Sequence, residues 1–276
     1  MSKNDFFIER SIVGALSFLK ESFFADEYAL RRGFLQARDP RIKFLSILLF
    51  LLAVLFSRSV YFFIGMYAFC LVLAACSSIR LGFFLKRTWI FIPLFSLFIA
   101  LPALFDIFTP GEPVLSFRIF NFSLSITKQG IASASFFFMR VLTSVSLSVL
   151  LVLSTRHNSL LKVLRIFKIP QLFVMILGMC YRYVYLFIEI IQDTFMAIRS
   201  RVGFVSSVRK GQGIVAWNIA SLWQRSYAMH SQVYSAMLSR GYSGEPKVMD
   251  EFSVVFKDWL WLGVAVLIFG LSLWQK

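Results

Sequence analysis

Residues 170–203 read PQLFVMILGMCYRYVYLFIEIIQDTFMAIRSRVG, and the fold turns on whether this stretch crosses a membrane. Its apolar part, 171–191, is long enough, since about 20 residues span roughly 30 Å of hydrocarbon. Two features oppose a crossing. Arg182 stands at its centre, where a lone charge costs roughly 2.5–3.5 kcal/mol on insertion scales. The second feature is the distribution of charge. With the stretch kept on one side, 24 of the 29 Lys and Arg fall inside, Arg140 lies within a span, and four (Arg58, Arg118, Lys128 and Lys276) fall outside. With the stretch crossing, the split falls to roughly sixteen against twelve, and the bias that orients membrane proteins vanishes. The sequence therefore predicts five spans, with the N-terminus inside and the C-terminus outside.

Those spans lie on either side of the quoted stretch. Upstream are Phe44–Phe56, Val60–Ile79, Thr88–Phe105 (with Pro93 and Pro102 inside it) and Gly130–Ser154; downstream is Trp259–Trp274. Ser57-Arg58-Ser59 reads as a tight turn, Arg80, Lys86 and Arg87 as a basic loop, and Asp106–Gln129 as a polar-aromatic loop. Residues 1–43 are amphipathic. Ile12, Leu16, Leu19 and Phe23 share one helical face, which predicts an interfacial helix lying along the membrane. Asp39-Pro40 ends it, because a residue before proline is pushed out of the helical region. The expected fold is an all-α integral membrane protein with four parts: an interfacial segment 1–43, four spans in 44–155, an inner-side domain 156–257 and a fifth span in 258–276.

Composition agrees. Of 276 residues, 58 % are hydrophobic and only 16 % charged. A water-soluble domain carries about 25 % charge. The net charge of +15 would point to nucleic acid in a soluble protein, but here the inner-side bias accounts for it, so lipid and not nucleic acid is the expected partner. Three cysteines without a C-x-x-C pair require no oxidising compartment. The N-terminal residues, interrupted by Asp5, Glu9, Glu21, Asp26 and Glu27, do not read as a cleaved signal.

Residues 156–257 are too apolar for a free loop. In a helix started by Pro170, Arg182, Glu189, Asp193 and Ser200 fall within about 20° of one line. A second helix is expected after a loop containing Lys210-Gly211-Gln212-Gly213. Its apolar side carries Ile219, Leu222, Trp223, Tyr227, Met229, Val233, Tyr234, Met237 and Leu238. Gly241 supplies a left-handed cap after Arg240. Both helices thus end in a Ser-Arg pair, Ser200-Arg201 and Ser239-Arg240. Unpaired carbonyls and a partial negative charge at a helix C-terminus stabilise an arginine there. Such an arginine still offers a planar fork to a carboxylate on a partner.

Catalytic signals are missing. No phosphate loop of the G-x-x-x-x-G-K-[ST] kind and no nucleophile elbow occur, so no catalytic residue is assigned. His157 and His230 stand without a Cys or carboxylate at ligand spacing, so no metal or cofactor site is expected on this chain. Arg140, ten residues into its span, must face protein or a crevice. Glu189 and Asp193 are its candidate partners.

The segment Ala236-Met237-Leu238-Ser239-Arg240-Gly241-Tyr242 resembles the second Ala-Arg-Gly signature of the transmembrane T subunits of energy-coupling factor transporters. Ile169-Pro170, then Arg182, closed by Ser200-Arg201, resembles the coupling helix with the first signature, although Gly203 comes one place late. Asp39-Pro40-Arg41-Ile42-Lys43 looks like the same family. Ile99-Ala100-Leu101-Pro102-Ala103-Leu104-Phe105, followed by Phe108-Thr109-Pro110-Gly111-Glu112-Pro113, is similar to its cobalt-type branch, the CbiQ subunits. The resemblance implies a non-catalytic scaffold in a bacterial plasma membrane. Ser200, Arg201, Ser239, Arg240 and Gly241 would couple it to a cytoplasmic ABC ATPase dimer, which holds the ATP and Mg. Cobalt or nickel would be held by a separate CbiM-like membrane subunit, with a small CbiN-like one. A T subunit serving vitamin-binding partners is the alternative within the family. A stand-alone carrier or a membrane enzyme is the alternative outside it.

Overall fold

The computed structural model describes residues 14, 25–31, 33–90, 92–104, 113–119, 122–202, 208–244 and 254–274. The stripe Ile12, Leu16, Leu19 and Phe23 therefore lies outside the described residues. In chain order the elements are α1 (Ala25–Leu30), α2 (Pro40–Phe56), α3 (Val60–Cys76), α4 (Leu81–Trp89), α5 (Ile92–Ala100), β1 (Pro113–Ile119), β2 (Phe122–Thr127), α6 (Lys128–Ser154), α7 (His157–Ile166), α8 (Gln171–Val202), α9 (Val208–Ser239) and α10 (Phe256–Trp274). The protein is an all-α integral membrane protein with one small hairpin. Among the described residues four helical stretches are long and apolar enough to cross a membrane: Leu81–Ala100, Lys128–Ser154, Gln171–Ile198 and Phe256–Trp274. Val60–Cys76 is apolar but shorter, and α2 has 17 residues, about 25 Å of rise.

The chain divides into two compact units. One comprises 25–160 with 252–276, and the other 161–251 with the first 24 residues. In the first, helix starts follow from local chemistry. Asp39 is extended (φ −58, ψ 128) ahead of Pro40, and its carboxylate accepts the Arg41 N–H at 2.8 Å. Thr127 caps α6 by accepting from the Gly130 N–H at 3.1 Å. The core is a seam of α2, α3, α6 and α10 side chains. Phe50, Phe63, Leu147, Leu150 and Leu153 are fully buried, and Trp261 nearly so. Around Trp261 stand Phe34 (5.6 Å), Phe50 (6.0 Å) and Phe69 (6.2 Å), the first two edge-on and the third stacked. Such pairs add about 0.5–1.5 kcal/mol each beyond area burial.

Three expectations are corrected here. The loop expected over 106–129 contains an antiparallel hairpin, with Ser116 paired to Ser125 and Ile119 to Phe122. The reason lies in an overlooked period of two: Leu115, Phe117 and Ile119 alternate with Ser116 and Arg118. The basic loop at 80–87 is largely helix, because Lys86 and Arg87 close the last turn of α4, where cations suit the helix C-terminus. The proline-containing span begins earlier than Thr88, in the apolar stretch Leu81–Ala100 with Pro93 inside it, and Pro102 opens a short 3-10 turn beyond its end.

Between α1 and α2 the chain turns tightly against the end of α3. The Phe34 N–H donates to the Cys76 carbonyl at 3.2 Å, the Leu35 N–H to Ser77 Oγ at 3.4 Å, and Gln36 Nε2 to the Ser77 carbonyl at 2.9 Å. Gly33 is required by this contact. A Cβ there would meet Gln36 Oε1 and would lie 2.7 Å from the Ser77 carbonyl oxygen.

Candidate functional site

The second unit is built on α8 and α9, each of 32 residues and so about 48 Å long. The glycine loop expected at 210–213 is not a loop. Residues Lys210 to Gly213 belong to α9, which starts at Val208. Each glycine there costs about 1 kcal/mol relative to alanine, which a helix this long absorbs over its remaining turns.

On α8, Arg182, Glu189, Asp193 and Ser200 are all exposed, and none of the three charged side chains has an ion-pair partner among the described residues. On α9 the expected apolar face is split. Leu222, Met229, Val233 and Met237 are half-buried, whereas Trp223 (78 %), Tyr227 (76 %), Tyr234 and Leu238 stand exposed beside them. An amphipathic helix with this much uncovered aromatic surface has the character of a docking face.

The end of α9 is a complete cap. Gly241 has φ +79, its N–H donates to the Leu238 carbonyl at 3.0 Å, and the Tyr242 N–H donates to the Met237 carbonyl at 3.0 Å. These are the two bonds of a Schellman motif. They satisfy the last carbonyls and leave Arg240 exposed at the tip. Ser239 Oγ donates back to the Ser235 carbonyl at 3.0 Å, and Ser200 Oγ to the Ala197 carbonyl at 2.9 Å. Both hydroxyls are thereby folded onto their own helices, so each serine presents little more than alanine would. Arg201 is exposed and sits one residue inside the end of α8, while Gly203 lies outside the described residues.

Tyr242 fixes how the two tips relate. Its hydroxyl donates to the Gly244 carbonyl at 3.1 Å and lies 3.4 Å from Met175 Sδ, next to the start of α8. Arg240 therefore stands at one end of α8 and Arg201 at the other, roughly 40 Å apart at 1.5 Å per residue.

Arg140 finds its partners elsewhere than Glu189 or Asp193. Its Nη2 donates to the Ser57 carbonyl at 3.1 Å, and its guanidinium lies 4.8 Å from the Phe136 ring centroid and 5.8 Å from that of Phe63. The carbonyl of Ser57, the C-cap residue of α2, and two π faces hold the charge inside the span.

One polar cluster escaped the sequence reading. Lys43 is 1 % exposed, and its ammonium donates to the Ser154 carbonyl at 2.9 Å. Asp258, also buried, pairs with Arg38 at 3.6 Å and accepts the Val255 N–H at 3.1 Å. The motif Asp39-Pro40-Arg41-Ile42-Lys43 pointed to this place, but only the fold brings Ser154 and Asp258 to it. Among the described residues no three His, Cys, Asp or Glu side chains stand close enough together to hold a metal ion.

Residues 32–250 match the model of the CbiQ family, described as a cobalt transport protein. The chain is 32 % identical over 273 residues to an uncharacterized protein of Methanocaldococcus jannaschii, covering 97 % of this chain and 91 % of that one. It is 32 % identical over 154 residues to the energy-coupling factor transporter transmembrane protein EcfT of Streptococcus thermophilus, covering 52 % and 54 %. A second uncharacterized protein of M. jannaschii is 28 % identical over 134 residues, covering 48 % and 49 %.

Proposed function

Because the chain belongs to the CbiQ family of cobalt transport proteins, we propose that it is the transmembrane T component of an energy-coupling factor importer for cobalt or nickel ions. Its N-terminus is cytoplasmic, as the inner-side excess of Lys and Arg requires, and α8 and α9 lie on the inner side. Arg201 and Arg240 dock into two equivalent grooves of a cytoplasmic ABC ATPase dimer. ATP and Mg bind, and hydrolysis occurs, on those partners. The metal is cargo, held by a separate CbiM-like membrane subunit assisted by a small CbiN-like one.

The observation that carries this reading is the pair of cationic tips at opposite ends of α8. Two identical grooves on a symmetric dimer call for two similar anchors set well apart. When the dimer closes on ATP, anchors roughly 40 Å apart are drawn together, and stiff helices convert that approach into a tilt of whatever rests on them. The exposed aromatic stripe of α9 gives a membrane partner its purchase.

Co-purification of the full chain tests the reading. A complex containing ATPase subunits and a membrane subunit, with cobalt or nickel bound to the latter, is the expected outcome. A single cysteine placed at residue 240 that reacts with an impermeant reagent from outside intact cells would overturn it. The similarity to EcfT favours one second reading, a T component serving vitamin-binding subunits. A complex purified with a vitamin-binding subunit and no metal would support that one.

A further inference from the structure

In the first unit, a cavity of about 480 Å³ opens where the start of α2 meets the end of α6. That size lies within the range of sites for small ligands. Four cations line it, Arg31, Arg38, Lys43 and Arg156, and no carboxylate does. Of the neighbouring carboxylates, Asp258 engages Arg38 and Asp39 is turned to the Arg41 N–H. Counting both still leaves two positive charges over. Arg31 packs on the Tyr28 ring, its guanidinium carbon 4.5 Å from the centroid, and Arg156 is exposed. Neither side chain has a hydrogen-bond or ion-pair partner among the described residues. Lys43 is 99 % buried on the far wall, and the Ser154 carbonyl takes only one of its three N–H donors.

Like charges around one cavity repel, and folding alone gives no reason to gather four cations around an open space. An anion with several acceptor oxygens does give one, because each oxygen takes a charge-assisted bond. The geometry points to a phosphate site: Arg31, Arg156 and Lys43 hold a phosphate anion, and Ser159 on the same wall supplies a further donor. The site lies at the ends of two spans flanked by Lys and Arg, where anionic headgroups concentrate. A lipid phosphodiester and free phosphate share the required chemistry.

The test uses the delipidated full chain in detergent, with native mass spectrometry after addition of phosphatidylglycerol, phosphatidylcholine or inorganic phosphate. The double variant Arg31→Ala, Arg156→Ala is compared with wild type and with Arg225→Ala, an exposed arginine that does not line the cavity. One phosphatidylglycerol per wild-type chain is expected, weakened about 10- to 30-fold in the double variant and unchanged in the control. Displacement of that lipid by inorganic phosphate would make free phosphate the occupant and keep the site. Equal binding by wild type and double variant would overturn the proposal, and so would the absence of any stoichiometric phosphate-bearing species. If the double variant fails to fold, wild-type melting decides: phosphatidylglycerol raises Tm more than phosphatidylcholine if the site exists, and equally if it does not.

Discussion

Trp261 donates its indole N–H to Ser46 Oγ at 2.8 Å, across 215 residues of sequence. This bond fixes the rotation of α10 on α2, because a helix turned by one residue would carry the indole 100° away. The same indole is packed by three rings, so its polar and apolar ends are held together.

Trp261→Phe keeps most of the packing and leaves Ser46 Oγ, which also donates to the Lys43 carbonyl at 2.9 Å, without its indole donor. A loss of about 1 kcal/mol is expected. Trp261→Ala, which opens a cavity, should cost about 3–5 kcal/mol. In a double-mutant cycle with Ser46→Ala, thermal unfolding in detergent should be non-additive; strict additivity would contradict the bond.

Asp258 pairs with Arg38 and also caps the turn before α10. Asp258→Ala strands Arg38 and should destabilise by about 3 kcal/mol. Asp258→Asn still accepts the Val255 N–H, so its cost should be visibly smaller in the same unfolding assay. Equal losses would mean that the charge has no part in stability.

A side chain at Gly33 has no room, since one neighbour is backbone. Gly33→Ala must open the turn against Ser77 and is expected to lower stability by about 1–3 kcal/mol. An unchanged melting temperature would show that the turn can shift freely.

Gly241→Ala forces a Cβ into a left-handed conformation at φ +79, with open space around it. The expected cost is only about 1–2 kcal/mol, confined to the end of α9. Global melting should be nearly unchanged while the yield of co-purified ATPase falls. A normal yield would separate the cap from docking.

Arg201→Glu and Arg240→Glu replace each exposed tip charge by its opposite without touching the cores of either unit. Membrane insertion should be normal and metal uptake abolished in both. Wild-type uptake in either variant would remove that arginine from the coupling surface.

The residue order was enough to reveal the membrane class, the helical character of the spans, the Asp39-Pro40 break and the Gly241 cap. Each depends on a residue and its neighbours within a turn or two, or on composition summed over a window. The polar stripe Arg182, Glu189, Asp193 and Ser200 was legible for the same reason, because helix geometry converts spacing directly into direction. The hairpin at 113–127 carries its alternation openly in Leu115, Phe117 and Ile119, but a pair of strands becomes a hairpin only through the ladder bonds between them. Lys210–Gly213 looked like a loop because glycine punctuates chains, yet the helix runs through it.

What the sequence determined by itself was therefore local: which stretches are helical, which faces are apolar, and which tips are cationic. Tertiary structure alone decided the pairings that join distant parts, such as Lys43 with Ser154, Arg38 with Asp258, Arg140 with Ser57 and Tyr242 with Met175. Each depends on which helix packs beside which, and that choice comes from burial summed over whole faces. No single residue encodes it, so the separation of the two arginine tips and the cationic cavity emerge only once the helices are assembled.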